Sequence, residues 1–217
     1  MNNFLSAFQR AADLGGPVVL LLIAIAVLTL ALILYKLWQF AAAGVGRHRA
    51  LRRAIAAWDV GDRAAARSAI EASRSYLVPV IDLALSAPPE PESLTRLTAE
   101  AEARFAKLES GLRFLDSVAQ IAPLLGLFGT VLGMIEAFQA LQDAGAQVDP
   151  AILAGGIWVA LLTTAVGLAV AMPTALILSW FEGRMDAERV LADRAISTIR
   201  TPLSKAAPKP LSGAAHG

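Results

Sequence analysis

Three long runs without a charged side chain constrain this chain more than any other feature. Leu14–Tyr35 is uncharged for 22 residues, Ser117–Ile135 for 19 and Pro150–Phe181 for 32. About 20 helical residues cross the hydrocarbon core of a bilayer. Inside lipid a segment must satisfy its own backbone hydrogen bonds, which a helix does. The expected fold is therefore an all-α membrane protein with transmembrane helices at 14–40, 112–142 and 152–181. Composition agrees, because 56% of the 217 side chains are hydrophobic and only 17% charged, against about 25% charged in a soluble domain. The first run could pass for a signal peptide cleaved near Ala41–Ala43. It is too long for one, and its positive flank follows the run instead of preceding it, so it reads as a retained span.

Net charge is only +1, which offers no basic field for nucleic acid, and none is expected as a partner. The distribution of charge says more. One basic residue, Arg10, precedes the first span, eleven lie in 41–114, none in 143–151 and six in 183–217. Cytoplasmic flanks accumulate Lys and Arg. This places the N-terminal segment 1–13 and the 143–151 loop outside, and 41–111 and 182–217 inside.

Between the first two spans the pattern predicts amphipathic helices over 47–58 and from Asp62 to about Arg74, with a short one over 76–86 interrupted at Pro79. Pro88, Pro89 and Pro91 form a rigid break. After it, Leu94, Leu97, Ala101, Phe105 and Leu108 recur at three- and four-residue steps. Gly111 costs only about 1 kcal/mol in a helix, so one continuous helix is expected over 92–142. The third span should continue to about Arg200, followed by a disordered tail. Together these extensions would form a cytoplasmic helical collar, with Leu94, Leu97, Phe105 and Leu108 in its core. Tyr35, Lys36 and Trp38 read as interfacial anchors.

The spans carry more than a lipid-soluble helix requires. Gly126, Gly129, Gly133 and Ala137 form a small-residue series, as do Gly156, Ala160 and Thr164, and Thr163, Gly167 and Ala171. Small residues let helix backbones approach closely in lipid. At about 100° per residue, Asp116, Pro123 and Thr130 share one face. Pro123 frees a carbonyl inside the membrane, and Thr163 and Thr164 sit midway along the third run. The plainer alternative is that each hydroxyl bonds a carbonyl one turn back. Asp116 and Glu136 also fit as exposed interfacial carboxylates.

Other chemistry is absent from the pattern. The chain has no Cys, and His48 and His216 have no partners at metal-ligand spacing. The glycines of the second span lack the Lys-Ser/Thr ending of a phosphate loop. No nucleophile–base arrangement is visible, so neither a cofactor nor enzymatic activity is expected, and the driving force must come from elsewhere.

Ala122-PLLGLFGTVLGM resembles the A-P-x-x-G-L-x-G-T-V-x-G signature of the ExbB/TolQ/MotA proton-channel family. Ala154-GGIWVALLTTAVGLAVAMP resembles that family's third-span motif, A-x-G-I-x-x-A-L-x-x-T-A-x-G-L-x-x-A-I-P. The order of spans fits the ExbB/TolQ branch better than four-span MotA-like stators. The resemblance implies an inner-membrane homopentamer with a periplasmic N-terminus and a cytoplasmic C-terminus. Its lumen would hold an ExbD/TolR-like single-span partner with a transmembrane Asp, and the complex would engage a TonB- or TolA-like envelope-spanning protein. The family's ring threonines fall on Thr130 and Thr164. Thr163, Asp116 and Pro123 would line the ion path beside them. Gly126, Gly129, Gly133, Gly156, Ala160 and Gly167 would pack helices. One departure stands out: Val159 occupies the position where ExbB and TolQ carry a Glu. A non-conducting membrane scaffold is the alternative function, and the process energised (Ton-like, Tol-like or motility) stays open.

Overall fold

The computed structural model describes residues 2–88, 90–143 and 150–203. Among them the chain is all-helical, with seven helices: α1 (Asn2–Ala43), α2 (Arg49–Asp59), α3 (Arg63–Glu71), α4 (Val78–Ser86), α5 (Pro91–Glu109), α6 (Leu112–Asp143) and α7 (Pro150–Arg200). Three of them are long and apolar enough to cross a membrane, over Gly16–Ala43, Leu112–Asp143 and Leu153–Arg200. Most of the expected outer loop (144–149) and the expected tail from residue 204 onward lie outside the described residues.

The chain divides into two compact units. The first comprises Met1–Leu37 and Gly111–Glu182. Within α1, Gly16 leaves the helical region (φ 63°, ψ −167°), and Pro17 restarts the helix in a first turn, where its missing N–H costs nothing. Val18 and Leu22 of α1 pack with Val118 and Ala122 of α6 and Ala171 of α7 to form the unit's core. The outward side chains are also apolar: Leu28, Leu124 and Leu176 are 60%, 62% and 74% exposed. Such an exterior suits hydrocarbon as the solvent.

The expected continuous helix over 92–142 is broken. Ser110 is extended (ψ 129°) and Gly111 takes a left-handed φ of 88°, a conformation open to glycine at little cost. A side chain at Gly111 would also meet Leu32 and Lys36 of α1 at 3.4 Å. The interfacial anchor set needs a second correction. Tyr35 and Trp38 are exposed, whereas Lys36 is buried.

The second unit comprises Trp38–Ser110 and Gly183–Gly217. Leu51 and Ala54 of α2 and Ala66 and Ile70 of α3 turn inward. Gly61 (φ 92°) makes the turn between these helices, and the Asp62 side chain caps α3 by accepting the Ala65 N–H at 2.9 Å. α5 buries Leu97, Ala101, Phe105 and Leu108, but Leu94 is 44% exposed and leaves the expected core. The α7 extension packs here through Met185, Ala192 and Ile196. Arg189 grips Glu109 with two nitrogens, and Trp58 Nε1 donates to the Ile199 carbonyl.

The interior of this unit holds a polar network that the sequence pattern does not reveal. His48, unpartnered in the sequence reading, bonds Glu188 through Nε2 at 2.8 Å and Ser75 through Nδ1 at 3.0 Å. The Tyr76 hydroxyl and the Gly46 N–H donate to the same carboxylate, at 3.0 and 2.8 Å. Burial pushes the Glu188 carboxyl up, but the hydrogen bonds and the His48 charge prevail and hold it below its ordinary value. Burial and the adjacent Glu188 push the Tyr76 phenol well above its own.

Candidate functional site

The α6–α7 seam of the first unit is where the sequence-predicted residues gather. On α6, Ala122, Gly126, Gly129, Gly133 and Ala137 are all buried. Facing them on α7 are Gly156, Ala160, Thr163, Gly167 and Ala171. The helices run antiparallel along this line, since Gly126 meets Gly167 and Thr163 while Gly133 meets Ala160. The contact is backbone to backbone in places. A Cβ on Gly167 would stand 2.6 Å from the Ala122 carbonyl oxygen, and one on Gly126 would stand 2.9 Å from that of Thr163. Every glycine assigned to packing therefore has a neighbour that accounts for its lack of a side chain.

The seam separates the two adjacent threonines. Thr163 is 1% exposed, and its hydroxyl donates to the Ala160 carbonyl at 2.7 Å, with the Gly126 carbonyl at 3.2 Å. A hydroxyl has one proton, and the shorter contact claims it. Thr164, half-buried at the edge of the seam, donates across the helix pair to the Gly126 carbonyl at 3.3 Å. Thr130, also half-buried, donates to the Leu127 carbonyl at 2.6 Å. By helical register the Gly126 carbonyl is also the acceptor for the Thr130 backbone N–H. The Gly126 carbonyl thus receives the Thr164 hydroxyl from α7 and the Thr130 backbone N–H from α6, while the Thr130 hydroxyl stays on Leu127.

The other predicted residues take distinct places. Pro123 is half-buried on the same α6 face as Thr130, and it leaves the Ala119 carbonyl without its usual amide. Asp116 is exposed and accepts Gln120 Nε2–H at 2.8 Å. Glu136 is exposed, and Val159 is half-buried beside Ala160. Two further polar side chains went unnoticed in the sequence. Thr174 is buried and bonds the Val170 carbonyl. Thr29 of α1 is 3% exposed, and its hydroxyl meets no partner among the described residues. Each is a single hydroxyl in an apolar run, with no companion at helical spacing to mark it.

Comparison with known proteins gives this geometry a context. Residues 62–193 match the model of the MotA/TolQ/ExbB proton channel family. Over 181 residues the chain is 33% identical to the biopolymer transport protein ExbB-like 1 of Synechocystis, covering 78% of this chain and 69% of that one. It is 48% identical over 67 residues to the biopolymer transport protein exbB1 of Vibrio cholerae, covering 31% of this chain and 29% of that protein. Against the Tol-Pal system protein TolQ of Haemophilus influenzae it is 36% identical over 105 residues, 46% of each chain. The chain thus spans less than half the length of the latter two relatives.

Proposed function

Because the chain belongs to the MotA/TolQ/ExbB proton channel family, whose members are channels and not enzymes, we propose that it is the ring-forming channel subunit of an inner-membrane complex. That complex couples the proton motive force to work on the cell envelope. Five copies surround an ExbD/TolR-like single-span partner, whose membrane Asp takes up and releases the proton. A TonB- or TolA-like envelope-spanning protein receives the motion. The N-terminus is periplasmic and the C-terminus cytoplasmic, as the bias of Lys and Arg supports.

The observation that carries this reading is that the Thr164 hydroxyl crosses the seam to the Gly126 carbonyl, one turn from Thr130, whose hydroxyl bonds the Leu127 carbonyl. A hydroxyl both donates and accepts. It can therefore turn from its carbonyl to support an ionised carboxylate, then accept from the same group once protonated. Thr163, sealed within the seam, supports the helix pair instead of the path. Pro123 and Asp116 extend the same α6 face, Asp116 at its inner edge.

The test is Thr130→Val and Thr164→Val in the assembled complex. Valine keeps the shape and removes the hydroxyl, so the ring should survive by native mass measurement. A buried carboxylate that loses a donor forfeits about 1–3 kcal/mol, so proton-driven activity should fall by roughly 5- to 150-fold. Full proton-driven activity in both variants would sink the role assigned to these hydroxyls, whereas absence of any proton-driven activity in the unmodified complex would favour a non-conducting scaffold. A specific observation stands on the scaffold's side: the Thr130 and Thr163 hydroxyls both bond their own helices.

A further inference from the structure

The α2–α3 hairpin presents positive charge that its own unit leaves uncompensated. Residues 47–74 contain seven arginines and three carboxylates. Two of those carboxylates serve the backbone: Asp62 caps α3, and Asp59 accepts the Leu203 N–H at 2.8 Å. Among the described residues, ion pairs engage Arg104 and Arg189 but none of Arg47, Arg49, Arg52, Arg53 or Arg67. Arg63 lies over the Trp58 ring at 3.4 Å, which fixes its guanidinium at the surface. The burial of Leu51, Ala54, Ala66 and Ile70 turns all six of these arginines outward, and each is exposed.

Chain connectivity holds the start of this hairpin close to the end of the first span. Trp38 has the amphipathic chemistry of a headgroup-level residue and is 68% exposed. Helix α1 runs only to Ala43 beyond it, a rise of about 8 Å. There the chain turns tightly, with Gly44 and Gly46 at φ 71° and 80° and Arg47 N–H bonded back to the Gly44 carbonyl at 2.9 Å. The start of α2 therefore lies within about one to two Debye lengths, roughly 8–20 Å, of the headgroups.

We propose that the exposed arginine face of the α2–α3 hairpin is a docking surface for the acidic phospholipid headgroups of the cytoplasmic leaflet. The guanidinium fork matches phosphate geometry, and the hairpin turns Leu51, Ala54, Ala66 and Ile70 inward while Val60 at its turn stays exposed, so charge carries the binding. Each arginine near an anionic surface strengthens the attraction by about fivefold.

The experiment uses the full-length complex in nanodiscs of phosphatidylcholine alone or of a phosphatidylcholine–phosphatidylglycerol mixture, read by hydrogen exchange. The mixture should slow exchange over 47–74 by about tenfold or more relative to phosphatidylcholine alone. High salt should abolish the difference, as should the triple variant Arg49→Gln/Arg52→Gln/Arg53→Gln. Unchanged exchange over 92–109 in that variant shows that the unit is still folded. If it is not folded, the salt titration of the unmodified complex decides alone. Equal exchange in the two lipids overturns the proposal. So does protection that appears in phosphatidylcholine only when a partner protein is added, which assigns the face to an acidic protein segment instead.

Discussion

Replacing Glu188 with alanine tests the interior of the second unit most directly. Its carboxylate is 2% exposed and accepts from three groups distant in sequence: His48 Nε2, the Tyr76 hydroxyl and the Gly46 N–H. His48 Nε2 lies 2.8 Å from the carboxylate and 3.1 Å from the Gly46 nitrogen. Glu188→Ala removes the acceptor from the buried His48 ring and the half-buried Tyr76 hydroxyl, whereas the Gly46 N–H keeps His48 Nε2 at 3.1 Å. Each unpaired buried donor costs about 1–3 kcal/mol, and breaking a buried pair by removing one partner costs about 3–5 kcal/mol in total. The assay is hydrogen exchange over α2 and residues 183–200 in the full-length complex. Protection there should fall by roughly two to four orders of magnitude, and the double variant His48→Ala/Glu188→Ala should be less damaged than the sum of the singles by about 1–3 kcal/mol. pH gives a second reading. The folded Glu188 carboxyl lies below its ordinary value of 4.5. Its contribution is therefore present above that pH and is lost as pH falls through the lower folded value. The Tyr76 phenol is raised above its ordinary 10.0, so its contribution is full below pH 10.0 and declines as pH rises beyond it. A loss under about 1 kcal/mol for Glu188→Ala in a folded protein would refute the reasoning.

The seam makes a paired prediction. Gly167→Ala drives a methyl into the Ala122 carbonyl and should destabilise the helix pair by about 1–3 kcal/mol, whereas Gly155→Ala meets nothing within 4 Å and should be neutral or slightly stabilising; thermal unfolding of the solubilised protein reads both. At Gly111, alanine must adopt φ 88°, so Gly111→Ala should cost about 1–2 kcal/mol in the same assay.

The transmembrane part of the fold was legible because an uncharged run of about 20 residues in lipid has one solution, the helix. What that logic lacks is any view across the chain. Gly111 reads as a tolerated glycine until Leu32 and Lys36 are seen against it. A periodic stripe also does not say which of its members a neighbour covers, so Leu94 and Leu97 look alike in sequence although only Leu97 is buried. His48 and Glu188 are 140 residues apart, and no local pattern joins them. The separation of Thr163 from Thr164 left a usable signal. The steps from Gly126 to Gly129 to Gly133 to Ala137 can be matched, on an antiparallel partner, by Gly167, Thr163, Ala160 and Gly156. That alignment puts Thr163 in the seam and leaves Thr164 at its edge.

The same residues decide what the chain can do alone. Between Asp116 and Glu136, and from Pro150 to Phe181, there is no Asp, Glu, His, Lys, Arg, Cys or Tyr. A threonine hydroxyl can pass a hydrogen bond from one partner to another, but it cannot store a proton the way a carboxylate does. Val159, half-buried beside the seam, stands where ExbB and TolQ carry a glutamate, so this chain has no carboxylate of its own midway along the path. On the proposed path, a carboxylate that holds a proton there has to come from another chain. Proteoliposomes containing this protein alone should therefore show no proton uptake under an imposed pH gradient, and adding a single-span partner with a membrane Asp should restore it. Val159→Glu should be tolerated in the complete complex, because Val159 is only half-buried and the Ala160–Gly133 contact does not involve its side chain. Steady proton uptake by the unpartnered protein would show that Thr130, Thr164 and water suffice, and would remove the need for a partner carboxylate.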